Sequence, residues 1–187
     1  MENKEVATAK KITQELIGGW FLYGILFGIV YSIINALIIT SIESLFLKTI
    51  IVIIIQGIIS VLIWKCSTQS TFKKRTMSYN DVPTVMRNLI IFTIVICIIS
   101  GLYNYYNINN TIDKSIDSDY QLQYTEKSLS RILDSEQMDK YNKQKEEAIA
   151  KVKSQVYIYF AITEISLTAV YLLVLIIEKK EILKYVE

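Results

Sequence analysis

Glu164 is the residue of this chain best placed to do chemistry, because its surroundings make it costly to keep. Ala161, Ile162 and Thr163 precede it and Ile165 follows, deep in the apolar run 155–177. A charged side chain near a bilayer centre costs about 2.5 to 3.5 kcal/mol on insertion scales, so such a carboxyl faces protein or water. Two chemistries suit it. Protonated, it exchanges hydrogen bonds with neighbouring helices for about 0.6 to 2 kcal/mol per contact. Titrating, it carries a proton or binds a cationic ligand.

Other polar residues lie at similar depths. Counted inward at about 1.5 Å per residue, Glu164 sits about 13 Å down, Ser100 about 9 Å, Asn35 about 8 Å and Gln56 about 16 Å. These residues and Thr168 form one expected polar layer. Tyr157, Ala161, Glu164, Thr168 and Tyr171 alternate by four and three, which puts them on one inward-looking helix face. A second pattern is steric: Gly24, Gly28, Ser32, Ala36 and Thr40 place a small residue at every fourth position. Small side chains on one face let another helix backbone come close, either within the bundle or from a second copy.

The rest of the inventory excludes more than it offers. There is no histidine, no glycine-rich phosphate loop and no paired nucleophile and base. General-base work at neutral pH usually relies on histidine, and a serine or cysteine nucleophile needs a base within reach. Cys66 and Cys97 read as free thiols, with neither a disulfide framework nor a metal spacing. No catalytic, cofactor-binding or metal residue is assigned, and no enzyme is expected. A formal net charge of +2 with mixed signs, and no basic stripe with interleaved aromatics, gives no case for nucleic acid.

The elements that must position these residues are membrane spans. Hydrophobic residues make up 52% of the chain and are clumped into runs 17–40, 45–64, 88–106 and 155–177. Run 45–64 is short and rich in isoleucine and valine, which in water would read as a buried strand. A lone strand cannot span lipid, because its backbone groups go unpaired, so the helix reading prevails. Run 17–40 is too long and starts too late for a secretory signal peptide. The expected fold is an all-α integral membrane protein: four transmembrane helices, up-down-up-down, with a protruding helical hairpin between helices 3 and 4. Its parts are an amphipathic N-terminal segment 1–16, helices 1 to 3 over 17–106, the hairpin 107–154, helix 4 over 155–177 and a cytoplasmic tail 178–187.

Lysine and arginine set the orientation. Lys4, Lys10, Lys11, Lys65, Lys73, Lys74, Arg75, Arg87, Lys179, Lys180 and Lys184 gather on one side, which favours both termini in the cytoplasm; the plasma membrane is the expected site. Trp20, Tyr23 and Trp64 are expected at that interface, and Tyr103, Tyr105, Tyr106, Tyr157 and Tyr159 at the other. Asp81 and Pro83 suit a helix start. Ile108, Ile112 and Ile116 extend the third helix for about three turns, until a break at 117–119. A short piece around Leu129 follows. Asp134 or Ser135 then caps a long helix in which Met138, Tyr141, Lys145, Ala148 and Val152 form a stripe of coiled-coil spacing. Asn109-Asn110-Thr111 matches a glycosylation acceptor, a pattern that counts only in a eukaryotic source. Val6, Ala9, Ile12 and Leu16 read as a helix lying on the membrane surface, and the tail as a solvated continuation of helix 4.

Two functions follow as expectations. The first is a non-enzymatic accessory or scaffolding subunit that binds a membrane-protein partner or itself, as a homo-oligomer in membrane lipid, through helix 1 and the 107–154 hairpin. The alternative is a small oligomeric transporter or ion pathway, with Glu164 as its protonatable or cation-binding group.

Overall fold

The computed structural model describes residues 5–37, 41–42, 44–73, 75–117, 128–129, 132 and 134–187, the side chains of 45 and 113–117 apart. Helices α1 (Ala9–Leu37), α2 (Leu45–Phe72), α3 (Val82–Asp117) and α4 (Ser135–Ile182) make up most of it. All four are long and apolar enough to cross a membrane. Their starts follow from sequence. The Leu47 N–H donates to Ser44 Oγ at the head of α2, and Pro83 occupies the first turn of α3, where its missing N–H costs nothing. At α4 the Gln137 N–H donates to Asp134 Oδ1 at 2.8 Å while Gln137 Oε1 accepts from the Asp134 N–H, a reciprocal capping box.

The middle of each helix is inside out by the standards of a protein in water. Ile25, Ile29, Ile54, Ile58, Ile91, Ile98 and Ile165 are each more than half exposed. Contiguous apolar surface of this kind marks a membrane face.

Two compact units divide the chain, Met1–Ile98 with Thr163–Glu187, and Ile99–Ile162. The first holds the dry core. Ile12, Leu16, Trp64, Phe72, Met77, Val85, Leu89, Leu175 and Ile182 are buried together, around the ends of α1, α2 and α4 that lead to the two tails and the start of α3. Within this unit α1 and α2 make the closest helix pairing. A two-stranded parallel sheet closes the same end: β1 (Glu5–Val6) pairs with β2 (Arg75–Thr76), Glu5 opposite Arg75 and Val6 opposite Thr76. On the far side Met77 bridges Val186. The Glu187 N–H donates to Met77 O at 3.1 Å and the Tyr79 N–H to Glu187 O at 3.3 Å. Three distant stretches of chain thus form a clasp.

Several expectations change here. Ile12 and Leu16 are fully buried rather than laid on lipid, because the i, i+4 stripe they form has a protein surface to fill. The tail is solvated only in part. Ile182 is fully buried, a 3-10 turn follows over Leu183–Tyr185, and the Tyr185 ring stacks on Phe72 at 4.9 Å. Trp64 is 1% exposed, a core residue and not an interfacial anchor. In the second unit, α3 runs past the expected apolar run to Asp117. Residues 118–119 lie outside the described residues.

Candidate functional site

Polar side chains from all four helices meet around Tyr171. The apolar periodicity of α4 puts Glu164, Thr168 and Tyr171 on one face, and all three are partly buried. The Tyr171 hydroxyl donates to Gln56 Oε1 of α2 at 2.5 Å, tying two helices together. Cys97 of α3 lies within hydrogen-bonding reach of Thr168 and close enough to Glu164 to sense its charge. Tyr171 in turn is near Cys97, Glu164 and Tyr31 of α1. The Thr168 hydroxyl donates to its own helix, to Glu164 O at 2.8 Å.

Of the expected layer, Gln56, Glu164 and Thr168 are brought together. Asn35 is half-buried on α1, and no described hydrogen bond joins it to the group. Ser100 belongs to the second unit, where its Oγ accepts from Asn104 at 3.5 Å. Tyr31, Cys97 and the hub role of Tyr171 were missed; a phenol or thiol in an apolar run gives too small a hydropathy signal to single out. The arrangement joins a phenol to an amide and a thiol to a hydroxyl, with the Glu164 carboxyl and the Tyr31 phenol in the vicinity. Among the described residues no group of three or more cysteine, aspartate or glutamate side chains is placed to hold a metal.

The small-residue face behaves differently. An added Cβ at Gly24 or Gly28 would meet nothing within 4 Å. The Ser32 hydroxyl turns back onto its own helix, donating to Gly28 O at 2.9 Å, Ala36 is exposed, and Thr40 lies outside the described residues. The glycines that matter for packing within the chain are others. A Cβ at Gly19 would lie within van der Waals overlap of Ser67 Oγ, and one at Gly57 would come 3.0 Å from Val170 Cγ1. At the first of these the Ser67 hydroxyl donates to Leu16 O at 2.7 Å, a buried bond between α2 and α1.

The clasp carries its own electrostatics. Arg75 reaches Glu15 at 2.8 Å and Glu5 at 3.3 Å, and Lys11 reaches Glu5 at 3.1 Å. The Lys11 hydrogen bond and charge, with help from Arg75, hold the Glu5 carboxyl below the usual carboxylate range. In the second unit, the Tyr157 hydroxyl donates to Asn109 Oδ1 at 2.7 Å and the Tyr105 ring lies 5.7 Å from that of Tyr157.

Comparison with known protein families, with characterised proteins and with solved structures finds no match.

Proposed function

We propose that this chain is a non-enzymatic multi-pass membrane protein, an accessory or scaffolding subunit that associates with a second copy or a membrane partner. Its spans run up-down-up-down in the plasma membrane, with both termini cytoplasmic. Pairing of residues 5–6, 75–77 and 186 in one clasp supports having the two termini and the α2–α3 connection on one side, and the surrounding lysines favour the cytoplasm. The arms on either side of 118–134 are read as a helical hairpin of coiled-coil character outside the membrane, a second docking surface.

One observation carries the association reading. In α1 the tight glycine contact is at Gly19, whereas Gly24 and Gly28 keep a row of small residues that the chain's own helices leave open. Small-residue faces are where membrane helices approach each other closely. Oxidative crosslinking of Gly24→Cys in a background lacking the native cysteines tests it. Disulfide-linked dimers that compete with unlabelled chain are the expected result, and a strictly monomeric, partner-free protein overturns the reading.

The gathering of polar groups from four helices around Tyr171 favours a second reading, a small oligomeric transporter or ion pathway in which Glu164 binds the proton or cation. Four spans leave little room for a path in one chain, so several copies are needed. In liposomes Glu164→Gln abolishes pH-coupled flux on this reading. Unchanged flux removes it.

A further inference from the structure

One more carboxyl stands outside the apolar run, and the site within the membrane does not use it. Glu178 follows the last residue of run 155–177. It lies three positions after Leu175 and four before Ile182, both fully buried, so it shares the face that α4 turns into the clasp. Glu178 is itself only 3% exposed. Its Oε1 is buried without a hydrogen bond of good geometry, and so is Thr68 Oγ1 on α2, although that hydroxyl is near enough to act on the acid. The charged groups acting on Glu178 are Glu181 of its own helix, Lys184 of the 3-10 turn that follows and Lys65 of α2. The Lys184 ammonium is engaged by Glu181 at 2.6 Å. From α1, Glu15 is held by Arg75, and α3 contributes apolar Val85 and Leu89 to this core.

A buried carboxylate without a partner is expensive, whereas the neutral acid is not. Burial therefore pushes the Glu178 carboxyl above its ordinary range, and the Thr68 hydroxyl, Lys65 and Lys184 only partly oppose it. We propose that Glu178 is a proton-operated latch: as the neutral acid it lets the last turns of α4 seat in the clasp, and on losing its proton to water it draws those turns out and frees residues 185–187 from Met77. The consequence has a definite sign. The closed form holds the proton more tightly than the open form, so closure is fully favoured below the ordinary carboxylate range and is lost as pH rises through the raised value. The device reports the pH of the compartment that the clasp faces.

Hydrogen exchange of the full chain in lipid nanodiscs, corrected for the intrinsic pH dependence of exchange, tests this at the amides of Met77, Tyr79 and Glu187, which make the clasp bonds. In the wild type, protection should be lost progressively between about pH 5 and about pH 9, as release of a proton held more tightly in the closed form requires. Glu178→Gln should hold its protection across the same range. A flat wild-type profile, or an equal fall in Glu178→Gln, overturns the latch. If the glutamine variant aggregates, Glu178→Met, of similar size and uncharged, takes its place: pH-independent protection supports the latch, and a fall equal to that of the wild type overturns it.

Discussion

Single residues decide where this bundle is tight and where it is open. Gly19 is tight, so Gly19→Leu forces Ser67 away from Leu16 and should cost about 1 to 3 kcal/mol, as overpacking does, when unfolding is followed in mixed micelles. Gly24→Leu meets open space; it should change the stability of the single chain by less than about 0.5 kcal/mol while lowering the crosslinked dimer yield. Tyr171→Phe removes the donor to Gln56, a loss of about 0.6 to 2 kcal/mol in the same assay, and combining it with Gln56→Leu should cost less than the sum of the two. Glu164, Gln56 and Thr168 were legible because polar atoms in an isoleucine-rich run stand out by cost alone. Gly19 and Ser67 were not, since each matters only through the other, across a pairing that local spacing does not encode. The same blindness gave weight to the regular Gly24 and Gly28 row over the irregular Gly19.

Whole elements were read more easily than their packing. The start of α4 follows from an Asp with a Gln three places on, and Asp134→Ala should cost about 1 kcal/mol, seen as faster exchange of the amides in the first turn of α4. The continuation of α3 to Asp117 follows in the same way from isoleucines at helical spacing. Neither tail could be read correctly. Strands of two residues, such as Glu5–Val6 and Arg75–Thr76, are too short to show alternation, and their partners lie at distant points of the sequence. Ile12, Leu16 and Ile182 carry the amphipathic spacing that suits a lipid surface and a protein core equally well. The difference rests on Trp64, Phe72 and Leu89 supplying the opposing surface.

At the scale of the molecule, the clasp has two kinds of fastening with opposite responses to pH. Glu5, held ionised by Lys11 and Arg75, contributes above the usual carboxylate range, and its contribution is lost as pH falls through the depressed value. Acid below the usual carboxylate range should therefore release residues 5–7, measured as exchange at the Ala7 amide that donates to Thr76 O at 2.9 Å, and added salt should have the same effect on these exposed pairs. Alkali acts at the other edge, through Glu178. Within the first unit the dry core grips the last turns of α4, which makes that grip a fulcrum. From Leu175 back to Thr163 the helix runs about 18 Å at 1.5 Å per residue, so a tilt of about 5° at the pivot carries Thr163 about 1.6 Å. A small change at the fulcrum is thereby geared up with distance along that stretch of helix.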